Sequence, residues 1–284
     1  MGESLLNGRR YSTATRLRAG DEIGIRWHGR PENGPMPDLA CLFEDGHLLA
    51  VDKPAGIASH PMGRFQAGTV VQFARLKYAE RVRECLDRGD MGFYPNLVNR
   101  LDVHTSGIIL VALTGVMHRA MQELVLRRLI SREYVALVEG SVSSDRGSIE
   151  FPIGPDMTSR VRLKMACRAD GKDSVTNFEV IERFPRHTLL RVTPRTGRQH
   201  QIRVHLAEIG HPVLGDLLYK DEGLFLAAQE PAAPLPSRHC LHARCTGFTH
   251  PVTGGVVGIE APIPGDFELV VRELRAAGRA GLTG

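Results

Sequence analysis

The sequence predicts an α+β fold built on a central, largely antiparallel mixed β-sheet flanked by helices and loops. Three observations carry that expectation. Short apolar runs bounded by Gly, Pro and polar clusters recur along the chain, most clearly at His47 to Asp52 and Ile108 to Leu113. Helical periodicity is confined to separated windows, the longest being Val116 to Ile130. The two signals do not alternate regularly, which argues against a βαβ repeat. With 42% apolar and 24% charged residues in a chain of 284, wholesale disorder and collagen-like repetition are excluded.

The first forty residues stand apart. Asn7-Gly8 is a turn dipeptide, and Leu17 to Ile25 is a turn feeding a short strand. Residues 29 to 38 combine three prolines and two glycines without apolar periodicity, so a linker is expected there, with a boundary near Asp38. The domain expectation is an N-terminal extension over 1–38 and a larger domain over 39–284. In the latter, His47 to Asp52, Leu97 to Leu101, Ile108 to Leu113, Tyr134 to Val138, Val175 to Ile181 and Thr188 to Val192 are expected strands. Met117, Met121, Leu124, Val125 and Leu129 share one face of the helix over 116–130. A second helix is expected over Gln199 to Ile209, with Ile202, Leu206 and Ile209 inward and Gly210 and Pro212 ending it. A third closes the chain near Glu268 to Ala277.

Charge is modest overall: 36 basic against 32 acidic residues leave +4. It is uneven locally. Arg160, Arg162, Lys164, Arg168 and Lys172 face only Asp170 in their stretch, and Arg191 to His205 holds four arginines and no acid. Such stripes are the footprint of a nucleic-acid backbone. Five cysteines at 41, 85, 167, 240 and 245 form no paired framework, which fits a reducing compartment. No basic region followed by an apolar core opens the chain, and the longest apolar run, Ile108 to Leu113, is too short to span a bilayer. The expected setting is the cytoplasm, away from membranes.

Three segments concentrate polar groups between apolar flanks. Asn99 to Gly107 sets a carboxylate, Asp102, two residues after Arg100 and ahead of a hydroxyl-rich turn. A solvated hairpin loop with a turn-forming Asp explains it as well as a catalytic loop does. Arg195 to His205 places His200 three residues before Arg203, on one helical face, with Gly197 at the helix entrance. A solvated basic face is the bland reading, but the apolar flanks favour a polyanion site. Ser131 to Gly140 opens a strand with Arg132 and Tyr134, and a Tyr at such a place is ordinarily packing. The run His239 to Cys245 suggests zinc, yet it is one cluster without a distant partner pair, so structural packing is the expected role and no metal site is assigned.

Taken together, these segments resemble the RluA family of RNA pseudouridine synthases. Arg100-Leu101-Asp102 with Thr105-Ser106-Gly107 resembles the family's catalytic loop, and Arg132-x-Tyr134-x-Ala136 its tyrosine strand. Gly197 to His205, continuing through Gly210-His211-Pro212 and Gly215-Asp216-x-x-Tyr219, resembles its third motif. Asp52 to Gly56 matches an early signature; Leu241-His242-Ala243 and His250-Pro251 match a late one. The resemblance covers about residues 40 to 267 in five ordered blocks. Asn99 stands where the family usually has His, and Arg132 where it usually has Lys. Residues 5 to 27 resemble the end of a small RNA-binding domain often fused ahead of the catalytic one.

The resemblance implies a pseudouridine synthase-like fold and isomerisation of uridine to pseudouridine in ribosomal or transfer RNA. No redox or phosphoryl step is involved, so no cofactor is expected. It makes Asp102 the essential group, as nucleophile or base, kept ionised by Arg203. Tyr134, also catalytic, would stack on the uracil and take part in proton removal from the ring carbon. The target base would be flipped out, with Arg100 filling the space it leaves. Thr105, Arg198, His200 and Leu241 would line the RNA side. A monomer without an obligate protein partner is the family's default. The competing reading is a non-catalytic RNA-binding or ribosome-assembly factor, for which Asp102→Asn would change nothing in the cell.

Overall fold

The computed structural model describes residues 2–10, 15, 18–27, 37–62, 67–89, 92–221 and 236–280. Positions 29–36 of the expected linker lie outside the described residues. Ahead of them, β1 (Gly2–Leu6), β2 (Arg9–Arg10) and β3 (Ile23–Trp27) form an antiparallel sheet of their own, ordered β2-β1-β3. Asn7 and Gly8 both take positive φ, 50° and 78°, the geometry a two-residue hairpin needs. The Asn7 side chain then ties the hairpin to Asp21 and to the Glu22 amide.

The main sheet has ten strands. Its path runs β4 (Ala40–Glu44), β5 (Leu48–Lys53), β7 (Ser106–Thr114), β14 (Leu241–Thr249), β8 (Ser131–Glu139), β13 (His187–Pro194), β12 (Thr176–Arg183) and β9 (Arg146–Ile149). Off that path, β6 (Phe93–Leu97) pairs with β7 and β15 (Val256–Glu260) with β14. Every pairing is antiparallel except β7–β14. The mixed, largely antiparallel sheet is therefore as the sequence predicts. A two-stranded ribbon, β10 (Ile153–Pro155) and β11 (Met165–Cys167), stands apart from it.

Helices α1 (Val70–Lys77), α2 (Ala79–Asp87), α3 (Gly115–Leu126), α4 (Gln201–Glu208), α5 (Leu217–Lys220) and α6 (Gly265–Ala280) flank the sheet. Strand β7 explains why two cores exist. Ile109, Val111 and Leu113 enter one with Val70 of α1, Leu206 of α4 and Phe267 of α6; Ile108, Leu110 and Ala112 enter the other with Met117 and Met121 of α3. A strand covered on both faces is apolar at successive positions, not alternating.

Three expected elements end elsewhere. The strand expected over Leu97 to Leu101 stops at Leu97; Val98 N still donates to Leu110 O at 2.8 Å, and beyond it the Asn99 side chain replaces the ladder, accepting from Leu110 N at 2.7 Å and donating to Ile108 O at 3.2 Å. Helix α3 ends at Leu126, four residues before the expected Ile130. Arg128 there adopts φ 58°, and Leu129 lies exposed beyond it. Helix α4 begins at Gln201, not Gln199, since His200 takes φ 56° as its N-cap.

Candidate active site

Asp102 sits on the turn between Asn99 and Ser106, closed by a Thr105 N–H donating to the Asp102 carbonyl. Two segments distant in sequence support the turn from behind. The first is 53–59. Lys53 is fully buried and donates Nζ hydrogen bonds of 2.9 Å to the carbonyls of Pro54, Ile57 and Val103. Gly56 N also donates to Val103 O, while the Ser59 hydroxyl donates to Leu101 O and accepts from Leu101 N. Burial drives the Lys53 ammonium down to about 7, against the opposing charge of Asp102.

The second support is 238–243, which takes in the start of the segment that suggests zinc. His239 Nε2 meets the Thr105 hydroxyl at 2.8 Å, and His242 Nδ1 meets the Ser106 hydroxyl at 3.0 Å. Gly107 completes the match. It pairs in parallel with Ala243 at φ 110°, and a Cβ there would lie 2.2 Å from the Ala243 carbonyl oxygen, so only glycine fits. Each residue of Thr105-Ser106-Gly107 thus has its own counterpart in the late segment. Burial pushes His239 well below the usual histidine range and His242 down to about 4, so both rings are neutral partners for the hydroxyls.

The front of Asp102 is charged. From α4, Arg203 donates Nη1 to Asp102 Oδ2 at 2.8 Å, while its Nε and Nη2 clasp Asp216 at 2.5 and 2.8 Å. His200 brings Nε2 within 3.9 Å of the same Asp102 oxygen. His200 Nδ1 lies 2.7 Å from the Tyr219 hydroxyl oxygen, which also accepts from the Met165 amide, and the ring is thereby oriented with Nε2 toward Asp102. Burial alone would raise the Asp102 pKa. The charges of Arg203 and His200, the Arg203 hydrogen bond and the charge of Lys53 outweigh it and hold the carboxyl below its ordinary value. Its side chain keeps 27% exposure, against 8% for Arg203 and 1% for Asp216. An ionised, partly exposed carboxylate is therefore held at the edge of a buried ionic cluster.

Tyr134 reaches the same place through the sheet, since it lies opposite Ala243, which in turn lies opposite Gly107. Burial and the Asp102 charge raise its phenol, with Arg132 acting the other way. Leu241 is buried in the core cluster that contains Tyr134. Arg100 is exposed beside the turn. Arg198 is exposed too, with Nε and Nη2 on the Asp173 carbonyl.

Two expectations change here. His200 and Arg203 do meet one carboxylate, but His200 does so from the left-handed cap and not from the helical face. Thr105, expected to touch RNA, is 2% exposed with its hydroxyl on His239 and acts inward. Reasoning from sequence also passed over Lys53 and Asp216 as site-builders. Both lie inside the family-like motifs, and a lysine closing a strand that opens Leu-Leu-Ala-Val is the available signal.

A family model described as RNA pseudouridylate synthase matches residues 47–208. Ribosomal large subunit pseudouridine synthase D of Xanthomonas campestris is 36% identical over 96% of this chain and 82% of its own length. Ribosomal large subunit pseudouridine synthase C of Escherichia coli K12 is 34% identical over 97% of this chain and 86% of its own. Among solved structures, human RNA pseudouridylate synthase domain containing 1 superposes with a TM-score of 0.62 at 23% identity, over 86% of this chain and 97% of that one, which speaks for the fold. On motif order, sheet topology and these likenesses alike, the chain belongs to the RluA family of RNA pseudouridine synthases.

Proposed function

We propose that the chain converts specific uridines of ribosomal RNA to pseudouridine, with Asp102 as the catalytic carboxylate. The observation that carries this reading is the Asp102–Arg203–Asp216 cluster. One buried guanidinium satisfies a fully buried aspartate and holds the second, half-open one ionised. The reaction breaks the bond from ribose C1′ to uracil N1 and forms one from C1′ to C5. The proton lost from C5 is balanced by one gained at N1, so the product is an isomer and no cofactor is consumed. Whether Asp102 attacks carbon or removes a proton, it must begin deprotonated, and its surroundings favour that form.

Tyr134 supplies the stacking wall for the flipped uracil. Its raised phenol stays protonated at neutral pH, which suits a wall better than a base. Leu241 forms the pocket's apolar side. Arg100, exposed beside the turn, fills the stack the uridine leaves, and Arg198 with His200 faces the RNA from the turn before α4. The names of the bacterial relatives support ribosomal RNA as substrate. The separate sheet over residues 2–27 is an accessory RNA-contacting extension ahead of the catalytic domain.

The test is pseudouridine mapping of ribosomal and transfer RNA by carbodiimide primer extension in a strain lacking the gene. Complementation would use wild type or Asp102→Asn. Loss of one or a few ribosomal sites, restored by wild type alone, is the expected result. Transfer RNA sites lost instead would move the substrate. An unchanged map would favour a binding factor that keeps the fold.

A further inference from the structure

We propose that Arg132 docks a backbone phosphodiester of the RNA beside the flipped uridine, a role that rests on the pseudouridine synthase reading above. Arg132 precedes Tyr134 by two residues on β8, so both side chains leave the same face of the sheet. Together they border a small, largely apolar pocket whose other sides include Asn99, Ile108, Leu110, Ala243 and Thr246. The Arg132 Nε is buried and has no hydrogen-bond partner among the described residues. Its guanidinium lies over Gly197, where a Cβ would come within 3.4 Å of Nη1. Gly197 belongs to the turn that carries His200 to Asp102.

Three neighbouring arginines are compensated. Arg203 holds Asp102 and Asp216, Arg238 holds Asp266, and Arg244 holds Glu260. The adjacent Glu133 is engaged by Arg191 at 3.2 Å. Arg132 is thus a half-buried cation without a carboxylate among the described residues, and such a group favours a complementary anion. The planar guanidinium fits phosphate oxygens in pairs. A uridine with its base on Tyr134 and its ribose at Asp102 must carry its backbone past this point. The bare Cα of Gly197 leaves that approach open.

The experiment uses the full-length protein and an unmodified transcript of large-subunit ribosomal RNA. Binding is titrated against KCl for wild type, Arg132→Gln and Arg132→Lys, with thermal melting to verify folding. Removing one phosphate contact should flatten the slope of log K against log salt by about 0.7 to 0.9 for Arg132→Gln and weaken binding roughly tenfold at low salt. Arg132→Lys should keep the wild-type slope. A wild-type slope in Arg132→Gln overturns the proposal. So does equal flattening in both variants, the signature of packing alone.

Should Arg132→Gln fail to fold, wild type is tested on RNA with a neutral methylphosphonate on either side of the mapped uridine. One of the two should bind about tenfold more weakly, and no effect from either overturns the proposal. Tritium release from 5-tritiated uridine by wild type reports the parent reading separately. Its absence would sink that reading whatever the salt slopes show.

Discussion

Behind Asp102, the loop is held by an amine on three carbonyls and by two neutral histidines on two hydroxyls, all buried. In front of it stand a guanidinium, a second carboxylate and an imidazole nitrogen, and there the Asp102 side chain is partly exposed. The back fixes where the loop runs; the front fixes the protonation state of its one exposed acid. Geometry and charge are thus assigned to different residues, and substitutions should separate them.

The largest effect is expected from Asp216→Ala, which strips Arg203 of two of its three carboxylate bonds. Breaking one side of a buried ion pair costs about 3–5 kcal/mol, measurable by urea unfolding. A loss below about 1 kcal/mol would show that the front contributes no stability. Gly107→Ala strikes the back. A methyl at positive φ, facing the Ala243 carbonyl, should cost about 3 kcal/mol by the same measurement.

Thr105→Val removes a single buried bond and leaves His239 Nε2 unpaired, which should cost about 1–2 kcal/mol. It should leave the acid limb of the kcat/KM profile in place, whereas a front residue should move it. Because the Asp102 carboxyl titrates below its ordinary 3.8, its stabilising pairing is fully present above that value and is lost as pH falls through the lower folded one. The acid limb should therefore lie below pH 4, and Arg203→Gln should move it upward. Smallest in energy is Arg100→Ala. The side chain is exposed, so stability should stay within about 0.5 kcal/mol while KM for RNA rises. A fall in Tm would place Arg100 in the frame and not at the site's edge.

The front was more legible in the sequence than the back. Asp102, Tyr134 and Arg203 lie in short motifs, and the motifs were enough to bring them together. Lys53, Asp216 and the His239–Thr105 and His242–Ser106 pairs were not read as site-builders, because their meaning depends on partners as many as 136 residues away. Strand β14 went unread for a related reason: its opening Leu-His-Ala-Arg-Cys has the residue types of a metal site, and only pairing with β7 and β8 shows a ladder. Helices α1 and α2 were missed as well. The second, Ala-Glu-Arg-Val-Arg-Glu-Cys-Leu-Asp, has too few apolar positions to display a face.

The parallel seam between β7 and β14 also carries a consequence for how the chain matures. Contacts between residues this far apart are costly in loop entropy and form late in folding. During synthesis Asp102, Tyr134 and Arg203 can all have emerged from the ribosome while the loop beneath Asp102 has only the support of residues 53–59 and still lacks the half of its back that arrives with residues 238–243. Catalytic competence is then the last property the nascent enzyme acquires, and a chain cut short before β14 should be inert even though it keeps all three of those side chains.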